Sequence, residues 1–116
     1  MHYWINRLSH PIRGLVYAIQ HDFAFQFEIT LGVITLPLLY FFFGPFSTIE
    51  ILVLLFCWFF VLVTELQNSA LETALDRIHP ERHELIGRSK DLAAGSVLIA
   101  ATFALVGLLA VLSGKL

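Results

Sequence analysis

The stretch "ILVLLFCWFFVLVTELQNSALETALDRI", residues 51–78, begins as an uninterrupted apolar run and ends as a mixed one. No Gly or Pro separates the two halves, and the first breaker is the pair His79-Pro80. An apolar run that turns amphipathic without a break reads as one long helix, crossing lipid with its first turns and leaving it with its last. At about 100° per residue, Glu65, Asn68, Ser69, Glu72 and Asp76 fall within one narrow sector of that helix. Leu66, Ala70, Leu71, Ala74 and Leu75 take the other faces. Like charges on one helix face repel by a few tenths of a kcal/mol per pair, roughly, and by more near lipid. A divalent cation would offset that repulsion, since Mg²⁺ takes carboxylate and phosphate oxygens. The plainer alternative is the solvated face of an amphipathic helix.

Two further spans flank this helix. The first runs from about residue 23 to 43, with Glu28 in its early turns and Pro37 inside; "GPFST" at 44–48 then breaks the chain and starts the next helix. The second span covers about 49–64, with its polar extension reaching 78. "HPERHELIGRS", residues 79–89, reads as the connecting loop, and the third span as about 91–112. Each is near the roughly 20 apolar residues that a bilayer requires. In the third, "AAGSVLIAA" supplies small residues that let membrane helices approach closely. Ahead of the spans, residues 3–20 carry Tyr3, Trp4, Tyr17, Arg7 and Arg13, which suit a helix lying in the membrane interface, although Pro11 is a point where it would split.

Composition agrees with a single small membrane domain. The 116 residues are 58% hydrophobic and 14% charged, with a mean hydropathy of +0.80, against roughly 45–50% and 25% for soluble domains. A formal net charge of -2 argues against nucleic acid as a partner. Cys57 has no second cysteine to pair with. "MHYWINRLSHPIRGL" lacks a signal peptide's apolar region and cleavage site, so the N-terminus is expected to be retained. Arg7 and Arg13 precede the first span, and Arg77, Arg82, Arg88 and Lys90 lie between the second and third. The first loop has no Lys or Arg, and the C-terminal end has Lys115 alone. The positive-inside rule therefore puts the N-terminus and the second loop in the cytoplasm, where nucleotides are.

More chemistry sits at that cytoplasmic level. Asp22 and Glu28 lie at the entrance of the first span, and carboxylates near membrane depth are functional candidates by default. "GRSKD", residues 87–91, offers cations to phosphate oxygens at the start of the third span. Arg88 and Lys90 also have a topological explanation as positive-inside anchors, which does not extend to Asp91.

"ELQNSALETALDRI", "HEL" and "GRSKDLAAGSVLIA" together resemble the signature of the prokaryotic diacylglycerol kinase family, which also includes undecaprenol kinases. The matching positions are Glu65, Asn68, Ser69, Ala70, Leu71, Glu72, Asp76, His83, Lys90 and Asp91. The resemblance implies an all-α integral membrane fold, a surface helix plus three transmembrane helices, assembled as a homotrimer with active sites shared between subunits. It implies a bacterial cytoplasmic (inner) membrane location and transfer of the γ-phosphate of ATP, with Mg²⁺, to a membrane lipid. Glu65 matches the general base, and Glu72 and Asp22 match the metal ligands. Asn68 and Glu28 match residues near the reacting groups, while Asp76, His83, Lys90 and Asp91 match the nucleotide side. The chain departs from the family in having Asp22 where Glu is usual and Gln26 where Arg is common.

Within this resemblance diacylglycerol is the favoured acceptor and undecaprenol the alternative. A different class also fits the composition: a non-enzymatic membrane protein with an ion path or interaction surface. Clustering of the polar groups at one end of the spans favours the enzyme, because a conduction path needs them through the whole bilayer.

Overall fold

The structure, a computed structural model, describes residues 2–114. Lys115, the C-terminal cation in the orientation argument, lies outside them. Four helices make up the fold: α1 (His2–His21), α2 (Phe23–Phe43), α3 (Thr48–Ile78) and α4 (Glu84–Leu112), with no strand among the described residues. Three of them, α2, α3 and α4, are long and apolar enough to cross a membrane. Phe41, Phe42, Phe56 and Leu98 are exposed along them. Such side chains are costly to leave in water and at home in lipid. The chain is an all-α integral membrane protein.

Each helix boundary has a local cause. α1 runs through Pro11 without splitting. A proline removes one intrahelical hydrogen bond, and here the helix is exposed, so water can serve the freed carbonyl. One residue, Asp22, separates α1 from α2: its backbone is extended (φ -102, ψ 105) and its side chain accepts from the Phe25 N–H, capping α2. α3 begins with a capping box in which Ser47 Oγ accepts from Glu50 N–H at 3.2 Å and Glu50 accepts from Ser47 N–H at 2.9 Å. Such a cap contributes about 1 kcal/mol.

The α3–α4 connection is shorter than the 79–89 loop read from the sequence. His83 accepts from the Leu85 N–H at 3.1 Å and caps α4, so that Glu84 to Lys90 are already helical. Arg88 and Glu84 pair at 2.7 Å across one turn, a helical spacing rather than a loop's. Polarity was mistaken for irregularity there: these charges decorate a helix that begins before the apolar span does.

The inner face of α3 organises the packing. Leu54, Cys57, Val61, Thr64 and Glu65 are buried along it, and α4, the helix α3 packs against most extensively, contributes buried Ala100, Gly107 and Val111. A side chain at Gly107 would bring a Cβ to 2.7 Å from Cys57 Sγ, so glycine permits the close approach there. The small-residue run is different: a Cβ added at Gly95 would meet nothing within 4 Å, and Ala94 and Ser96 are exposed. Within one chain, the tight α3–α4 contact lies at Gly107 instead.

Candidate active site

The polar stripe of α3 continues the buried apolar face of the same helix. Leu54, Trp58, Val61, Glu65, Asn68 and Glu72 follow one another at alternating steps of four and three residues, the spacing of a helix seam. Along this line the environment grades from core to solvent. Glu65 is buried at 9% exposure, Asn68 and Ser69 are half-buried, and Glu72 and Asp76 are exposed. A carboxylate therefore sits where the inner face changes from apolar to polar.

α2 brings its own acids to this level. Asp22 receives two hydrogen bonds, one oxygen taking the Phe25 N–H at 3.2 Å and the other the Ser69 hydroxyl of α3. Glu28, Asp22 and Glu72 all lie close enough for their charges to act on Glu65, Glu28 most strongly. Asn68 Oδ1 is buried without a hydrogen-bond partner. An unpaired buried acceptor costs about 1–3 kcal/mol, which makes this atom a place for a donor brought by a substrate.

An open groove of about 880 Å³ lies between α1 and the polar half of α3, reached by Asp22, Ser69 and Glu72 of these groups but not by Glu28, Glu65 or Asn68. Its walls are apolar at Leu15, Ala18 and Leu66 and polar at Asp22, Ser69 and Glu72. Asp22 and Glu72, the two carboxylates matched to metal binding, thus line one space. Among the described residues no three His, Cys, Asp or Glu side chains group closely enough to hold a metal. Two carboxylates completed by phosphate oxygens are nevertheless the usual provision for Mg²⁺. Each Asp22 oxygen keeps a lone pair beyond the hydrogen bond it accepts, so the donor set fits the ion.

The nucleotide-side candidates form a second cluster at the junction of α3 and α4. Lys90 and Asp76 are joined by a short ion pair between the two helices. His83 is the α4 cap, and its ring meets that of His79 at 5.5 Å. Asp91 is exposed on α4 beside Lys90, with no side-chain hydrogen bond among the described residues. Glu72 links the two clusters, one turn of α3 before Asp76.

Three features escaped sequence reasoning. Asp22 is a helix cap as well as a candidate ligand, and an Asp immediately before the apolar run that starts at Phe23 was the available signal. Gln26, standing where Arg is common in the family, donates from Nε2 to the Ile19 carbonyl at 2.7 Å and ties α2 back to α1. Trp58 donates to the Glu28 carbonyl at 2.8 Å from α3 to α2, a contact that no spacing rule anticipates.

The family model for prokaryotic diacylglycerol kinase matches residues 9–112. The chain belongs to that family. It is 44% identical over 96 residues to a diacylglycerol kinase of Haemophilus influenzae, covering 83% of this chain and 80% of that protein. Similarity to a diacylglycerol kinase of Pseudomonas aeruginosa is 29% over 98 residues, covering 84% and 78% of the two chains. A diacylglycerol kinase of Escherichia coli K12 is 48% identical over 46 residues, which is 40% of this chain and 38% of that one. As a member of the family the chain is a lipid kinase. That decides between the enzyme and the non-enzymatic alternative.

Proposed function

We propose that this lipid kinase transfers the γ-phosphate of ATP to the primary hydroxyl of diacylglycerol, giving phosphatidic acid and ADP. The observation that carries the reading is Glu65, a buried carboxylate at the point where the lipid-facing half of α3 ends and its polar half begins. A lipid alcohol diffusing in the membrane plane presents its hydroxyl at that depth. The groove between α1 and α3 offers apolar walls for the chains and acids for the head.

Glu65 accepts the hydroxyl proton as the oxygen attacks the γ-phosphorus. The new O–P bond forms while the bond from phosphorus to the β–γ bridging oxygen breaks, and ADP leaves with that oxygen. Asn68, one turn of α3 from Glu65, positions the reacting groups by donating from its amide nitrogen to the incoming hydroxyl oxygen or a phosphate oxygen. Glu28 stands on the α2 side of the same polar level, beside the reacting groups. On the nucleotide side Lys90 neutralises phosphate charge once it leaves Asp76, with Asp76, His83 and Asp91 around the nucleotide. Asp22 and Glu72 would hold Mg²⁺ together with phosphate oxygens, and the ion would supply charge neutralisation at the transferring group. Positioning and electrostatics supply most of the rate in such transfers, and the residue types here suit that demand.

The same reading has the protein in the bacterial cytoplasmic membrane, with α1 along the inner interface and the α3–α4 connection in the cytoplasm. Support comes from the Lys and Arg distribution and from the two polar clusters sharing one end of the spans.

The test is phosphate transfer by purified protein in mixed micelles with Mg²⁺ and labelled ATP, offering diacylglycerol and a long polyprenol together. Preferential label on diacylglycerol is expected. Preferential label on the polyprenol would assign the acceptor to the undecaprenol branch and overturn the diacylglycerol reading.

A further inference from the structure

We infer that Trp58, seated on Gly32, is a positioning residue for phosphoryl transfer: it fixes the height of Glu28 on α2 relative to Glu65 on α3. The inference rests on the kinase reading above and concerns residues outside the family signature.

The geometry is specific. Gly32 is buried, and a Cβ built there would fall within the indole of Trp58. The ring therefore occupies the volume that any other residue at position 32 would fill. From that seat the indole N–H reaches one turn back along α2 and donates to the Glu28 carbonyl at 2.8 Å. The Glu28 carbonyl belongs to a helix interior, where the N–H of residue 32 is already its expected partner. The indole thus adds a second donor to an oxygen that did not need one.

A simpler account has the indole merely satisfying its own N–H in an apolar setting, as buried tryptophans do. Any α2 carbonyl would serve that purpose. The bonded carbonyl is that of Glu28, the one acidic residue within α2. Moreover, α2 and α3 are joined by two side-chain hydrogen bonds among the described residues, Trp58 to Glu28 and Ser69 to Asp22. Glu65 lies between Trp58 and Ser69 on α3. Two ties, one on each side of Glu65, remove the freedom of α2 to slide or roll against it. With only the Asp22 tie, α2 would pivot about its first residue and carry Glu28 away.

Trp58→Phe removes the N–H and part of the ring, and Gly32→Ala pushes a methyl group into the seat. Three readouts are taken on each variant: turnover with saturating lipid and MgATP, KM for both substrates, and the thermal unfolding midpoint in detergent with the assembly state. Both variants are expected to lower kcat by about tenfold, the scale of a sub-ångström to ångström misplacement, with KM values nearly unchanged and any fall in the unfolding midpoint leaving the protein folded and assembled at the assay temperature. Gly32→Ala combined with Trp58→Phe should lose no more than Trp58→Phe alone, because both changes break the same tie and the smaller ring makes room for the methyl. An unchanged kcat in both single variants overturns the proposal while leaving the kinase reading intact. Loss of activity that tracks loss of folded or assembled protein assigns Trp58 to stability and overturns it as well. A wild-type protein that phosphorylates no lipid overturns the kinase reading, and the positioning role with it.

Discussion

At the scale of single residues, the proposed chemistry turns on Glu65, the buried acid of α3. Glu65→Gln keeps the volume and the hydrogen-bonding reach while removing the proton acceptor. Turnover should fall by about a hundredfold or more, the range for losing a general base. ATP binding, measured at equilibrium on the same preparation, should stay within a few-fold of wild type. Wild-type turnover in a correctly assembled Glu65→Gln protein would remove it from the role of base. Asp22 shows how one residue can carry two demands. Its extended backbone separates α1 from α2, its side chain caps α2, and it also faces the groove. The shorter side chain, where Glu is usual in the family, is the one suited to capping, because an Asp oxygen reaches the N–H three residues ahead.

At the scale of elements, continuity of α3 is what brings the site together. The apolar seam through Leu54 and Val61 and the polar stripe through Glu65 and Glu72 are one face of one helix. Inserting a single Ala between Val63 and Thr64 would rotate everything after it by about 100° and advance it by about 1.5 Å. The apolar half would still cross the membrane, while Glu65, Asn68 and Ser69 would leave the face that meets α2. Turnover is expected to fall by about a hundredfold or more, with membrane insertion and helix content unchanged. An Ala inserted between Pro80 and Glu81, both exposed in the α3–α4 connection, should cost far less. Equal losses at the two positions would argue that the register of α3 is not what matters. Periodicity made this element legible from sequence: the 100° rule put the five polar residues on one stripe, which runs from buried Glu65 through half-buried Asn68 and Ser69 to exposed Glu72 and Asp76. It failed at the start of α4, where Glu84 to Lys90 look like loop residues because they are charged. The capping nitrogen of His83 and the Glu84–Arg88 pair make them helical. Contacts between helices, such as Ser69 with Asp22 and Trp58 with Glu28, were not legible at all. They depend on how α2 docks, which no spacing within one segment specifies.

At the scale of the whole molecule, a single chain leaves its polar machinery only partly enclosed. The chain is about two helices thick along its shortest extent of 21 Å, and Glu72, Thr73 and Asp76 are exposed along the polar turns of α3. In the run Ala93 to Ser96 on α4, composed of residues that favour close helix contact, Ala94 and Ser96 are exposed and a Cβ added at Gly95 would meet nothing within 4 Å. Both observations are met if further copies pack against α4 and close the groove, since membrane helices associate through small-residue faces rather than through hydrophobic burial. A closed ring of identical subunits then repeats one heterologous contact, and a trimer is the assembly implied by the family resemblance. The expected result is a crosslinked species of three copies from protein in mild detergent, with turnover per chain falling as the sample is diluted into monomer. Replacing Gly95 by Leu should act in the same direction, weakening assembly and turnover together while leaving helix content intact, because a Cβ there has free space within its own chain. Full turnover from a sample that crosslinks only as monomer would show that one chain encloses a working site, and the uncovered face of α4 would then be a lipid-contact surface.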